Sequence, residues 1–151
     1  MRKTLLRLVS ENYPAVATDL LNPLLDLFRV SREAFGGDVD KFLILLVIAV
    51  RTTQHQGFAR LTPAQLSSGE IPVFPSLGVN VRSIADSLQI PKESVRRKVA
   101  EMIDTGWVVR EGNDLLITAQ AYREVSHVRE AIELLAVRNF EVVEGLLKAA
   151  R

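Results

Sequence analysis

VNVRSIADSLQIPKESVRRKVAEMIDTGWVVREGNDLLITAQAYREV, residues 79–125, carries the pattern on which the fold turns. Ile84, Ala85 and Leu88 mark one face of a short helix. Gln89-Ile90-Pro91 follows as a tight turn in which Ile90 can point into a core, while Pro91 cannot continue the helix behind it. Val95, Val99, Met102 and Ile103 then define the buried stripe of a second helix, expected to end on a left-handed cap at Gly106. Two helices joined by so short a turn must cross steeply, which is the geometry of a helix-turn-helix. Beyond Gly106, Trp107-Val108-Val109-Arg110 and Leu115-Leu116-Ile117 flank a turn at Glu111-Gly112-Asn113-Asp114 and read as a short hairpin, with Trp107 in its core. Thr118 is placed to cap a last helix.

Outward from this stretch the chain is mostly helical. Val16, Leu20, Leu24, Leu27 and Phe28 follow a 3.6-residue period, with a break or kink expected at Asn22-Pro23. Gly36-Gly37 stops that segment, and Asp38 should cap a central helix through Phe42, Leu43, Leu46, Val47 and Val50. Residues 54–80 are rich in turn formers, with a short helix at Thr62-Pro63-Ala64-Gln65 on capping-box spacing. Few apolar anchors are evident there, so this connection is expected to be more mobile than its neighbours. The expected organisation is N-terminal helices over 1–53, a connection over 54–78, the helix-turn-helix and hairpin over 79–118, and a C-terminal helix over 119–151.

Composition narrows the function classes. The chain has 151 residues, 48% hydrophobic, enough for a core. The absence of cysteine excludes disulfides, thiolate metal sites and a cysteine nucleophile, and it fits a reducing cytoplasm. Arg7 interrupts the N-terminal apolar run and no small-residue cleavage site follows, so no signal peptide is expected. The longest apolar run, residues 42–50, is about half of the roughly 20 residues that a membrane span requires, so no membrane partner is expected.

A net charge of +1 gives no whole-molecule attraction to a polyanion, so any such attraction must be local. It is concentrated at Lys92, Arg96, Arg97 and Lys98, opposed nearby only by Glu93. With the stripe from Val95 to Ile103 facing inward, 100° per residue puts Glu93, Ser94 and Arg97 outward, flanked by Arg96 and Lys98.

Helix, turn, helix and hairpin in this order resemble a winged helix-turn-helix, and the stretch from Ile84 to Arg110 is similar to the DNA-binding unit of the MarR family. The helices before it and the long helix after it match that layout. Three features depart from the family pattern: Gln89 stands where glycine is usual, the wing is short, and its tip is acidic. The resemblance implies a mainly α fold with a small β-hairpin wing and flanking N- and C-terminal dimerisation helices. It also implies a transcriptional regulator on double-stranded DNA and a small-molecule effector that the sequence does not specify.

In such a unit the N-terminal part of the second helix enters the major groove. Arg97 is then the candidate reader of a guanine edge, and Ser94 a base or phosphate contact. Lys92, Arg96 and Lys98 are cast as phosphate contacts, joined by Arg82 and Arg110. Glu93 could accept from a cytosine amino group or favour the helix start. On the C-terminal helix, Val125, Val128, Ile132, Leu135, Val142 and Leu146 alternate three and four apart, with Asn139 in the remaining slot. That series predicts a symmetric homodimer through Val128, Ile132, Leu135, Asn139, Val142 and Leu146, with Leu20, Leu24 and Phe28 contributing from the N-terminal helices.

Two other classes compete. Winged helices also serve as protein-interaction adaptors without DNA binding, but the outward face of the second helix lacks exposed aromatics or leucines. An enzyme would need machinery that is not evident: Glu124, His127 and Glu130 share a helix face, yet one helix offers too few ligands for a metal, and ion pairing explains them. His55 suits a helix C-terminus. No phosphate loop, nucleophile elbow or catalytic acid pair occurs, so no enzyme activity, metal or cofactor is expected.

Overall fold

The computed structural model describes residues 1–68, 70–71, 74 and 78–151. The described residues are mainly helical with one two-stranded antiparallel hairpin. They form two compact units, Met1–Ala34 with His127–Arg151, and Phe35–Ser126. The division differs from the segments expected at 53 and 79, because the first apolar helix after Gly36-Gly37 packs with the hairpin unit.

In the unit Phe35–Ser126, α2 (Val39–Thr53) starts where the Asp38 carboxylate accepts from the Lys41 amide at 3.0 Å, as its place in the sequence predicts. Phe42, Ile44, Leu45 and Ile48 are buried, while Val39, Leu46 and Val50 stay exposed, so this helix is central on one side only. The next long-range partners are α4 (Val81–Leu88) and α5 (Lys92–Thr105), then β1 (Val108–Glu111) and β2 (Asp114–Ile117). The strands pair with Val108 opposite Ile117 and Glu111 opposite Asp114. α2 packs against α4, α5 and β2, and β1 against α5; Ile84 and Ala85 of α4, Val95, Val99 and Met102 of α5, Leu115 and Leu116 of β2 and Val108 of β1 are all buried. Each large apolar side chain so buried contributes about 1.5 to 3 kcal/mol. The Leu115 amide donates to the Val79 carbonyl at 2.7 Å, which ties the start of α4 to the hairpin.

Two left-handed residues shape this unit. Gly106 ends α5 at φ +88, with the Trp107 amide donating to Met102 at 2.9 Å and the Gly106 amide to Ile103 at 3.0 Å. That is a Schellman arrangement, and a Cβ at Gly106 would collide with the Gln120 side-chain oxygen. Gln89 ends α4 at φ +56, ψ +37, a conformation that costs a residue with a side chain about 1 to 2 kcal/mol. Gln89→Gly is therefore expected to stabilise the protein by about 0.5 to 1 kcal/mol, part of the relief being cancelled by the greater freedom of glycine in the unfolded chain. Chemical denaturation checks this, and a lower midpoint in the variant would contradict it.

The connection after α2 is more anchored than its turn formers suggest. α3 (Pro63–Ser68) begins with the expected capping box, Thr62 and Gln65 exchanging bonds of 2.8 and 3.2 Å, and it packs on α6 (Ala119–Glu124). After the 3-10 turn Phe58–Arg60, the Phe58 ring meets Tyr122 at 5.6 Å and Phe74 at 6.0 Å, and His55 meets Phe74 at 4.9 Å. Aromatic rings bury large areas, and this corrects the expectation of few apolar anchors. For residues 69, 72–73 and 75–77 the expected mobility lies outside the described residues. Thr118 caps α6 as predicted, its hydroxyl accepting from Ala121 at 3.1 Å. The single C-terminal helix is corrected: the chain breaks at Val125, φ −105 and ψ +23, before α7 (Ser126–Ala149).

In the other unit, α1 (Arg2–Ala34) is one continuous helix through Pro14 and Pro23, so of the break or kink expected at Asn22-Pro23 the break does not occur. An internal proline costs about 3 kcal/mol, offset here by burial of the Pro23 ring beside buried Leu27 and Ser31. α1 and α7 run antiparallel, since Val30 and Ala34 share a groove with Ala131 and Leu134, and Asp19 and Pro23 share another with Arg138 and Val142. Along α7, Val128 is buried, and Leu135, Asn139, Val142 and Leu146 are half-buried. Leu6, Tyr13, Leu21, Leu24, Leu25 and Phe28 of α1 are exposed, as are Ile132, Val137, Phe140 and Leu147 of α7.

Candidate nucleic-acid interface

The crossing of α4 and α5 decides what the second helix can offer to a partner. Its inward stripe is filled by Val95, Val99 and Met102, so the side chains opposite must face outward. Lys92, Glu93, Arg96 and Arg97 are exposed and Ser94 is half-buried. Pro91 precedes the helix without a side-chain cap, leaving the first-turn amides of α5 beside Lys92 as donors suited to an anion. Arg82, in the first turn of α4, and Arg110, on β1, are also exposed.

The structure brings these groups together unequally. The Arg96 guanidinium meets Glu93 at 2.5 Å along the helix, so Glu93 is a partner of Arg96 and caps nothing. Both side chains are largely exposed, and such a pair is worth little, which leaves Arg96 able to exchange Glu93 for a phosphate. No salt bridge ties Arg97 among the described residues. Lys98 is the correction: its ammonium is 2.5 Å from the Asp38 carboxylate, and its side chain is only 13% exposed. It flanks the buried stripe and is drawn to the capping residue of α2, away from the exposed face that carries Lys92, Arg96 and Arg97.

A second bridge runs parallel to that one, from Lys41 on α2 to Glu101 on α5 at 2.6 Å. Desolvation pushes the Asp38 carboxyl up, but the Lys98 hydrogen bond, the Lys41 amide and both lysine charges together hold it below its ordinary value of 3.8. Glu101 is held below 4.5, first by the Lys41 hydrogen bond and then, against some desolvation, by the charges of Lys41, Arg97 and Lys98. Glu124 is likewise lowered, by the indole N–H of Trp107 and then by Gln120. A lowered folded-state pKa gives stability that is complete above the unfolded value and is lost as pH falls through the folded one. The thermal midpoint is therefore expected to fall as pH drops below the ordinary carboxylate range. Asp38→Asn, which keeps the cap, should lose less over that acid range than the wild type does; an equal loss would remove Asp38 from the acid response.

None of these bridges was legible in the sequence, because Asp38 and Lys98 lie 60 residues apart. Spacing signalled only that Asp38 caps and that Lys41 follows in the first turn. Trp107 sits edge-on to Phe35 at 5.1 Å at the base of the hairpin, in line with a packing role. His55 lies just past α2, its Nδ1 accepting from the Gly57 amide at 3.0 Å. Among the described residues no cluster of His, Cys, Asp or Glu could hold a metal ion, and no helix is long and apolar enough to cross a membrane. No protein-family model, curated protein or solved structure matches the chain.

Proposed function

We propose that this protein is a sequence-specific double-stranded-DNA-binding regulator of the winged helix-turn-helix class, MarR-like in its layout, that acts as a homodimer. The observation that carries the reading is the exposed cationic face of α5, set opposite a fully buried stripe on a helix that crosses α4 after a three-residue turn. In this reading Arg97 reads a base edge. Lys92, Arg96, Arg82 and Arg110 hold phosphates, and Ser94 supports either contact. Lys98 serves the fold.

Titration of duplex DNA at several salt concentrations tests this. Arg97→Ala is expected to cost about 1 to 3 kcal/mol and to relax preference at one base pair, whereas Lys92→Ala should weaken binding on every sequence and lower the salt slope by about 1. Lys98→Ala should lower the thermal midpoint and leave the salt slope in place. Unchanged affinity in both Arg97→Ala and Lys92→Ala would remove α5 from any DNA site.

The dimer reading draws on the unit formed by α1 and α7. Their charges pair along their own helices, as Arg7–Glu11, Asp26–Arg29, Arg129–Glu133, Arg138–Glu141 and Glu144–Lys148. The exposed apolar side chains of these two helices are interspersed with exposed charges of both signs, among them Arg2, Lys3, Asp19, Arg32, Glu33 and Glu130, and a surface so mixed favours a second copy over a strongly charged partner. Leu24, Phe28 and Ile132 of the expected interface belong to that exposed surface. Leu20, Val128, Leu135, Asn139, Val142 and Leu146 are already buried or half-covered. A symmetric dimer would bind an inverted repeat with half-sites about one helical turn apart, or a multiple of it.

A further inference from the structure

The chain contains several arginines followed four residues later by a glutamate, a spacing that puts the two side chains on one helix face. Arg7–Glu11 closes at 2.6 Å and Arg129–Glu133 at 3.4 Å. Arg29 turns instead to Asp26, at 2.5 Å. Arg97 has Glu101 at the same spacing on α5, and that pair is open, because Glu101 reaches across to Lys41 at 2.6 Å. Lys98, which could also compete for Glu101 at three-residue spacing, is held by Asp38.

Resting on the DNA reading above, we propose that Lys41 is a positioning residue for Arg97: by holding Glu101 against α2 it keeps a carboxylate from closing on the guanidinium that reads DNA. The arrangement sorts four charges into two bridges between α2 and α5. Asp38 takes Lys98 and Lys41 takes Glu101, while Glu93, four residues before Arg97, meets Arg96 at 2.5 Å, so the carboxylates at four-residue spacing on either side of Arg97 are each held by another cation. A guanidinium closed on a carboxylate would present that carboxylate to the duplex, where it repels phosphates and occupies the donors that a guanine edge needs. Lys41 touches no DNA in this scheme; it acts through Glu101.

The test uses the full chain and the duplex that the wild type binds most tightly from a randomised pool, compared with the same duplex altered at the base pair most sensitive to Arg97→Ala. Lys41→Met should lose about twofold to fivefold of this discrimination, the worth of an exposed ion pair, as Glu101 closes on Arg97. Adding Glu101→Gln should restore it even though no bridge to α2 is regained, an outcome that a brace needed only for structure would not give. The exchanged pair Lys41→Glu with Glu101→Lys keeps a bridge, places no carboxylate beside Arg97, and should discriminate as the wild type does. If Lys41→Met fails to fold, the exchanged pair and Glu101→Gln alone carry the test. Full discrimination in folded Lys41→Met, no recovery in the Lys41→Met, Glu101→Gln double variant, or lost discrimination in Glu101→Gln or the exchanged pair overturns the role of Lys41. A wild type that selects no duplex overturns the DNA reading itself, and this role with it.

Discussion

A chain carrying Phe140→Glu is expected to sediment as a monomer at micromolar concentration, where the wild type sediments as a dimer. Phe140 is 64% exposed and faces away from the half-covered stripe of α7, so glutamate there leaves the folded chain undisturbed. Burying a phenylalanine on association contributes about 2 kcal/mol, and a buried unpaired carboxylate adds a desolvation cost of its own. In a twofold assembly each substitution acts twice, so the expected weakening is on the order of a thousandfold or more. Phe28→Glu on α1, at a side chain 45% exposed, should also weaken association. Leu135→Glu should behave differently: that side chain is half-buried within its own unit, so the thermal midpoint falls before association is tested. A wild type that remains monomeric at tens of micromolar overturns the dimer, and a dimer unmoved by both phenylalanine variants moves the interface elsewhere.

Ile84→Ala is expected to cost about 2 to 5 kcal/mol, the range for removing a fully buried side chain that cannot be replaced by local collapse. Ile84 has no exposed surface and comes from an eight-residue helix, so α4 has few other anchors against α5 and α2. For a chain of this length the thermal midpoint should fall on the order of 10 °C. DNA affinity measured well below that midpoint should change far less than in Arg97→Ala, because no contact group is lost. A fall of less than about 1 kcal/mol would mean that α4 is not part of the cooperative core.

What was legible in the sequence was local. The periodicity of Ile84, Ala85, Val95, Val99 and Met102, the proline that ends the turn and the glycine that ends α5 are each determined within a few residues. The stretch from Val81 to Ile117 could therefore be read directly. Pro23 misled because a proline signals a break only where nothing else holds the helix, and burial of its ring does so here. The stripe of α7 is open to two readings for another reason: a helix with apolar residues on opposite sides does not say which side its own chain will cover. Lys98 was placed with its neighbours Arg96 and Arg97, and only its meeting with Asp38 moved it from interface to fold. Arg97, whose position opposite the stripe follows from period alone, stands exposed as the spacing predicts.

The register of the hairpin sets Glu111 directly across from Asp114, at the end farthest from Val108 and Ile117. Residues opposite one another in an antiparallel pair share a face with their Cβ atoms about 5 Å apart, so two like charges crowd one tip at some cost to the hairpin. A polyanion lying along α5 would find attraction under that helix and repulsion at this tip. A duplex bound as proposed would thus be held along α5 and at Arg110 and kept off the hairpin's tip, giving a short footprint per subunit. In a homodimer of the kind proposed, tight binding would then depend on the second subunit gripping the next groove at the same time.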